Sequence, residues 1–177
     1  MVGEVLQIKR LRQFLKREVG YSKRVLDIGC GDGATALYLI SSLNCTIQGI
    51  DLDAGRVHRA NEKFKRKPHK GFAVCNVFKA ENMNRKFFKI PFDTVIVTHA
   101  FHHMDNIRKA LIKSKNVLAR DGKIIIAEYT AQFGEKIDDC PRFSTEKIKL
   151  LVTKAGFKKI KQFDLAPGLF AVIGFKD

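Results

Sequence analysis

The chain of 177 residues has no tryptophan, only four prolines, and no apolar run long enough to cross a membrane. Its first residues interleave basic and apolar side chains around Glu4, unlike a secretory leader. Acids are scarce too, because 18 Asp and Glu stand against 33 Lys and Arg, for a formal net charge of +15. We therefore expect one cytoplasmic domain over residues 1–177, without a membrane anchor and with a surface that attracts anions.

Cysteine is also sparse, and no two cysteines have the C-x-x-C spacing of metal or redox sites. Neither a disulfide framework nor a cysteine-bound metal is favoured by this scatter. Hydrophobic residues nevertheless make up 45% of the chain, which is typical of a globular fold rather than of a disordered one. The four cysteines are Cys30, Cys45, Cys75 and Cys140.

The most informative stretch runs from Val25 to Gly33 and reads Val-Leu-Asp-Ile-Gly-Cys-Gly-Asp-Gly. Residues that favour strands lead into three glycines at alternate positions, and Ala34 then opens a segment typical of a helix. This order of strand, tight turn and helix predicts the first crossover of a doubly wound sheet. Glycines let a ligand approach the backbone, whose N–H groups are unpaired at the start of a helix.

Asp27 distinguishes between two ligands that such a turn can bind. Gly29, Gly31 and Ala34 also fit the permissive form of the dinucleotide fingerprint. A carboxylate just before the turn would repel a pyrophosphate, whereas it suits a ligand with a cationic amine and no phosphate. The stretch resembles motif I of the class I S-adenosylmethionine (SAM)-dependent methyltransferases, and the resemblance extends over nearly the whole chain. A nucleotide-linked oxidoreductase is less favoured because no length remains for a substrate domain.

Strand and helix patterns alternate through the rest of the sequence. Predicted helices cover 4–19, a segment from 34, 54–67, a segment to 119 capped by Asp105, and a segment to 155 capped by Ser144 or Thr145. Predicted strands cover 25–28, 45–50, 72–75, 92–98, 123–129, 157–163 and 169–175. We expect an α/β fold with a doubly wound, mostly parallel seven-stranded sheet whose last strand is antiparallel. An N-terminal helix within residues 1–20, with Val5, Ile8 and Leu11 on its apolar stripe, precedes the core of residues 21–177.

Acids and amides at strand ends are the expected cofactor contacts. Asp51 ends the second predicted strand, where a carboxylate can accept two ribose hydroxyls, and Asp53 is expected to cap the next helix. The family commonly has an acid after the third strand for the adenine amino group, and Asn76 stands there with an amide oxygen that can still accept. The resemblance implies SAM as cofactor, bound by Asp27, Gly29, Cys30, Gly31, Gly33, Asp51, Leu52, Asn76, Val77 and Thr98.

Three histidines follow the fourth predicted strand, in the stretch His99-Ala-Phe-His102-His103. The segment is similar to that of small-molecule methyltransferases of ubiquinone and menaquinone biosynthesis, in which this strand end faces the transferred methyl. The histidines are therefore candidate bases. A metal site is less favoured because adjacent histidines point in different directions, and one ring can instead pack under a helix. The Asn/Asp-Pro-Pro-Tyr loop and the Pro-Cys pair used on nucleobases do not occur in this region, so a small-molecule acceptor is expected.

The positive charge leaves a second class of acceptor open. Seven basic residues between positions 56 and 70 stand against one acid, Glu62. Such a run is typical of a nucleic-acid footprint or of a solvated helix face, and the outer face carries no aromatic residue for base stacking. The solvated face is favoured. An RNA or protein methyltransferase, and a catalytically silent SAM-binding partner subunit, remain the alternatives.

A loop after the fifth predicted strand has the opposite charge. Glu128, Glu135, Asp138 and Asp139 stand there against Lys136 alone. The loop is expected beside the entrance for the methyl acceptor. Its acids either favour a cationic or amine-bearing acceptor or cap a turn and pair with nearby lysines.

Overall fold

A computed structural model describes residues 2–66, 70–84, 88–130 and 142–177. The helices are α1 (Val2–Val19), α2 (Ala34–Ser42), α3 (Ala54–Arg66), α4 (Ile107–Val117) and α5 (Thr145–Lys154). The strands are β1 (Arg24–Ile28), β2 (Thr46–Asp51), β3 (Phe72–Val77), β4 (Phe92–Thr98), β5 (Leu118–Tyr129), β6 (Lys158–Ala166) and β7 (Leu169–Phe175). Short 3-10 turns, Ala80–Asn82 and Phe101–His103, follow β3 and β4. Within these ranges no helix has both the length and the apolar character that crossing a membrane requires.

The strands form one sheet in the order β3-β2-β1-β4-β5-β7-β6. Neighbours from β3 to β5 are parallel, while β7 is antiparallel to both β5 and β6. The predicted sheet and its antiparallel last strand are therefore confirmed. The strand order reverses between β1 and β4, and ligands of open α/β sheets bind at such a reversal, beyond the carboxyl ends of the strands.

The core lies on both faces of this sheet. Side chains of α4 and α5 pack on one face, and those of α1, α2 and α3 pack on the other. The middle of β5 is buried on both faces, because Ile124, Ile125 and Ile126 are each 0% exposed. Continuous apolar runs of this kind are typical of parallel strands covered by helices on both sides.

The N-terminal helix is confirmed, but its expected apolar stripe is only half right. Leu11 is buried, whereas Val5 is 67% exposed and Ile8 is 40% exposed. Side chains from Leu11 to Val19 belong to the core together with those of α2, and the ring of Phe14 packs on Phe163 of β6. Nearer the N-terminus, the side-chain Nε2 of Gln7 donates to the carbonyl oxygen of Pro167, in the turn between β6 and β7, at 2.9 Å. Helical periodicity alone does not reveal where a helix leaves the sheet.

The expected limits of α4 are wrong at both ends. Asn106, not Asp105, caps the helix, since its side-chain oxygen accepts from the backbone N–H of Lys109 at 2.9 Å. Asp105 instead forms an ion pair with Lys79 at 2.7 Å. The helix also ends at Val117 because Leu118 already belongs to β5 and pairs with β4. The caps predicted at Asp53 and Ser144 are confirmed, with bonds of 2.9 and 3.2 Å.

Candidate functional site

The turn after β1 is built from glycines in left-handed conformations. Gly29, Gly31 and Gly33 have φ values of 73°, 52° and 76°, which a residue with a side chain adopts only with strain. At Gly29, a Cβ would also lie 2.3 Å from the Cβ of Ala100. At Gly31, no described atom lies within 4 Å of the position that a Cβ would take. The backbone at Gly31 is therefore open to a ligand.

Asp51 braces this turn from the end of β2. Its Oδ2 accepts a hydrogen bond from the backbone N–H of Gly31 at 2.8 Å, and its Oδ1 accepts one from Asp53 at 3.0 Å. Each carboxylate oxygen has a second lone pair that these bonds leave unused. Asp51 therefore fixes the turn and can also accept bonds from a ligand.

Asp27 is a buried carboxyl group beside the turn. Its residue is 1% exposed, and neither side-chain oxygen has a hydrogen-bond partner among the described residues. Burial, with a smaller contribution from the charge of Asp51, raises the pKa of Asp27 to about 7. Burying a carboxyl group without hydrogen-bond donors costs free energy of folding. The donor set of a cationic amine would satisfy it, so the residue fits the methionine end of SAM.

Two cavities lie beyond the strand ends and have some lining residues in common. One has a volume of about 340 Å³ and adjoins Asp51. The other has a volume of about 430 Å³ and lies over the glycine turn beside Asp27. Gly29, Arg56 and His99 line both cavities. A ligand that reaches from Asp27 to Asp51 would therefore pass His99.

Most of the predicted cofactor residues border these cavities. Those that line one or both are Asp27, Gly29, Cys30, Gly31, Asp51, Leu52 and Thr98. Gly33, Asn76 and Val77 line neither cavity. A Cβ on Gly33 would lie 2.7 Å from the ring of Phe64 on α3, so that glycine serves helix packing. Asn76 and Val77 lie within β3, paired with the last residues of β2.

The side chain of Cys30 packs away from the cavities, into the core. A Cβ on Gly49 would lie 2.7 Å from the Sγ of Cys30 and 2.4 Å from that of Cys75. The two sulfur atoms therefore occupy the space of the missing side chain. A hydrogen bond to Cys75, followed by burial, raises the pKa of the Cys30 thiol. Cys30 is nevertheless among the residues that line the cavity over the glycine turn.

Sequence reasoning missed the far wall of the cavity next to Asp51. Phe78, Glu81 and Met104 line that wall. Glu81 is 5% exposed, and its Oε1 accepts from the backbone N–H of Asn106 at 3.3 Å. These residues follow strand ends in irregular or 3-10 backbone, where hydrophobic periodicity gives no signal.

The three histidines have different surroundings. His99 has a φ of 51°, its ring stacks on Tyr129 with centroids 4.2 Å apart, and its buried Nδ1 has no partner among the described residues. Burial lowers the pKa of His99. His102 is 5% exposed at its side chain and lies 3.1 Å from Glu128, whereas His103 is exposed and lines the cavity beside Asp51. No group of three potential metal ligands converges within the described ranges.

Glu128 does not belong to an acidic loop, contrary to the expectation. It lies in β5 and is 1% exposed. Its Oε1 accepts from the backbone N–H of Phe101 at 2.8 Å, and its Oε2 faces the Nδ1 of His102 at 3.1 Å. Glu128 therefore ties the 3-10 turn after β4 to the neighbouring strand. The other acids of that prediction, Glu135, Asp138 and Asp139, lie outside the described residues.

Several bases of α3 are paired with acids. Lys63 bonds to Asp32 of the glycine turn, and Arg56 lies 3.5 Å from Asp53. Lys65 lies 2.9 Å from Glu62 on the same helix. Part of the basic run is therefore paired with acids, of which Asp32 and Asp53 lie outside the helix and Glu62 lies within it. The solvated-face interpretation stays a prediction.

Comparisons with known proteins agree with this geometry. A family model described as a methyltransferase domain matches residues 26–124. The O-methyltransferase rstn1 of Aspergillus nomiae is 27% identical over 168 residues, which cover 85% of this chain and 74% of that protein. The ubiquinone/menaquinone biosynthesis C-methyltransferase UbiE of Citrifermentans bemidjiense is 26% identical, covering 93% and 83%. The structure of a SAM-dependent methyltransferase from Aquifex aeolicus superposes with a TM-score of 0.77 at 21% identity, over 94% and 89% of the two chains.

Proposed function

This chain belongs to the methyltransferase domain family, and we propose that it transfers a methyl group from SAM to a small-molecule acceptor. When bound, SAM supplies an electrophilic methyl on a sulfonium. The observation that carries the proposal is the carboxyl group of Asp27, which is buried beside the glycine turn and receives no hydrogen bond from the residues that the structure describes. A cationic amine supplies that donor, whereas the ionised oxygens of a pyrophosphate have no proton to donate.

We assign the cofactor contacts from the polar groups of the turn. Asp27 binds the amine, and the backbone at Gly31 approaches the ligand closely. Asp51 accepts the ribose hydroxyls with the lone pairs that Gly31 and Asp53 leave unused. The contacts predicted for Cys30, Leu52, Asn76, Val77 and Thr98 stay predictions. The cofactor contact predicted for Gly33 also stays a prediction.

A small acceptor is supported by the relatives, whose names describe an O-methyltransferase and a quinone-pathway C-methyltransferase. The net charge of +15 is the observation that favours an RNA or protein acceptor instead. The acids paired with α3 weaken that alternative, because they reduce the charge available to phosphates. The small molecule therefore stays the first choice.

The histidines divide into two roles under this proposal. His99 and His103 line the cavities and stay candidate bases for an acceptor that must lose a proton. His102 faces Glu128 and holds the turn after β4 instead. Replacing the true base should lower kcat and remove the acidic limb of the pH profile, which for His99 lies below pH 6.5 because burial lowers its pKa. Full turnover in all three histidine variants would mean that transfer needs no base.

Calorimetry tests the cofactor and a labelling screen tests the acceptor. SAM and S-adenosylhomocysteine should bind the wild type, and NAD should not. Asp27→Ala should lose affinity for SAM. Asp164→Ala, which removes an exposed carboxylate, is the control and should keep that affinity. Methyl-labelled SAM added to cell extract, with and without nuclease, should then label a small molecule that mass spectrometry identifies. Tight NAD binding would contradict the cofactor, and a label that nuclease or protease releases would contradict the acceptor class.

A further inference from the structure

A surface of unbalanced positive charge lies along α5 and β6. Residues 147–163 contain six lysines and no Asp, Glu or Arg. Five of these lysines are exposed, and Lys149 is half-buried. We call the set the lysine edge, because β6 is the outermost strand of the sheet. It consists of Lys147, Lys149, Lys154, Lys158, Lys159 and Lys161.

The lysine edge differs from α3 in having no counterions. None of its lysines forms an ion pair with an acid within the described ranges. The Nζ of Lys149 donates instead to the side-chain oxygen of Gln162 at 3.3 Å. The Nζ of Lys161 lies 5.6 Å from the centre of the Phe175 ring. The positive charge of this surface is therefore not neutralised by the acids that the structure describes.

The lysine edge lies away from the cofactor cavities. None of its lysines lines either cavity. At the start of β6, Lys158 pairs with Phe175 at the end of β7. Phe175 also pairs with Lys123 of β5, and this register places it near the amino ends of the parallel strands. The cavities lie beyond the carboxyl ends of those strands, so the two surfaces are distinct.

The lysine edge lacks the side chains that recognise proteins or single-stranded nucleic acids. Protein interfaces are anchored by Arg, Tyr and Trp, none of which occurs between positions 147 and 163. Single strands are bound by stacking their bases on aromatic rings. The two aromatic residues of the segment offer no such platform, since Phe157 is 1% exposed and the ring of Phe163 packs on Phe14 with centroids 5.1 Å apart.

Lysines without such residues are suited to a duplex. A phosphate backbone binds basic side chains without regard to sequence, because each neutralised phosphate releases counterions. An ammonium group only donates, so it does not accept a hydrogen bond from the 2′-hydroxyl groups that distinguish RNA. The side chains of Thr153 and Gln162 already bond to the carbonyl oxygen and the Nζ of Lys149. The contacts of this surface are therefore mainly those of lysine with phosphate.

We propose that the lysine edge binds the phosphate backbone of double-stranded DNA without sequence preference. The inference goes beyond methyl transfer and does not depend on it, because the surface is distinct from the cofactor cavities. Lysines on an outer strand also keep that strand from pairing with another sheet. That role accounts for the lysines of β6 but not for those of α5.

Fluorescence anisotropy with a short labelled DNA duplex of mixed sequence tests the proposal. The affinity should fall steeply as salt is added. Lys154→Glu combined with Lys158→Glu should weaken binding by about 10- to 100-fold and reduce the log–log salt slope by about two, since each phosphate contact contributes about 0.9. Lys65→Glu combined with Arg66→Glu, on α3, changes the net charge equally and is the matched control. It should weaken binding by less than about threefold.

Two further ligands establish the class of partner. An RNA duplex of equal length should bind no more tightly than the DNA. Polyglutamate should bind more weakly, because its charges are less dense and release fewer counterions. Equal weakening in the two double variants, tighter binding of the RNA duplex, or polyglutamate binding as strong as that of DNA would overturn the proposal.

Acetylation footprinting of the wild type decides the question even if the Lys154 and Lys158 double variant does not fold. DNA should protect both lysines from acetic anhydride, as mass spectrometry detects, and leave Lys65 reactive. Unchanged reactivity of Lys154 and Lys158 in the presence of DNA would overturn the assignment. Saturating DNA should also leave the affinity for S-adenosylhomocysteine unchanged, and a changed affinity would contradict the separation of the two surfaces.

Discussion

Replacing Asp27 by asparagine should stabilise the cofactor-free protein at pH 8. Burial and, second, the charge of Asp51 raise the pKa of Asp27 from 3.8 to about 7. A carboxyl whose pKa is higher in the folded than in the unfolded chain contributes stability at low pH. That contribution is fully present below pH 3.8 and is lost as the pH rises through 7. Above pH 7, the wild type therefore carries a buried charge that asparagine does not.

The size of the effect follows from the pKa difference. One pK unit corresponds to about 1.4 kcal/mol, so a shift of about three units sets an upper limit of about 4 kcal/mol. The asparagine amide also lacks partners, which costs about 1–3 kcal/mol and reduces the gain to about 1–3 kcal/mol. For a chain of this size, the melting temperature at pH 8 should rise by about 2–12 °C. The gain should shrink steadily as the pH falls from 7 to 4.

Scanning calorimetry of the cofactor-free protein between pH 4 and 8 measures this trend. Asp164→Asn, which changes an exposed carboxylate on β6, should show no comparable gain. The same Asp27→Asn protein should bind SAM about 10- to 100-fold more weakly, because it loses a charge-assisted bond. If the melting temperature of Asp27→Asn exceeds that of the wild type equally at pH 4 and pH 8, or does not exceed it at pH 8, then Asp27 is not an unfavourable buried charge and the argument is refuted.

Other substitutions test the glycine turn and the basic helix. Gly29→Ala should destabilise the protein by more than about 2 kcal/mol in denaturant unfolding and abolish SAM binding, since its methyl would lie 2.3 Å from Ala100 at a φ of 73°. Lys63→Ala should change the unfolding free energy by less than about 1 kcal/mol, because its pair with Asp32 is half exposed. Charge reversal at Lys65 and Arg66, which are exposed and line neither cavity, should leave methylation of a small acceptor unchanged, and a specific RNA footprint over residues 56–70 would contradict this.

The sheet and its glycine turn could be predicted because their signals are local. A run such as Ile124 to Ala127 favours a strand buried on both faces, and glycines after Asp27 require a tight turn. The antiparallel pairing of β6 and β7 follows from two strand segments separated only by Pro167 and Gly168. Each of these features depends on residues that are neighbours in sequence.

The wall of the cavity could not be predicted, because it depends on distant segments. Glu81 reaches the cavity through a 3-10 turn, and its partner Asn106 lies 25 residues away. Glu128 looked like part of an acidic loop, yet its register opposite Phe170 on β7 places it inside the sheet. Sequence pattern gives the composition of a loop but not which carboxylate points inward.

The double use of Asp51 changes how one mutant must be interpreted. Its carboxylate receives the backbone N–H groups of Gly31 and Asp53 before any ligand arrives. Asp51→Ala would therefore loosen the turn as well as remove the proposed ribose acceptor, and its loss of affinity would exceed the value of the proposed ribose contact. A 2′,3′-dideoxy cofactor on the wild type removes both ribose hydroxyls and leaves the turn intact. The difference between the two losses measures how much of the site's affinity comes from holding the turn ready in advance.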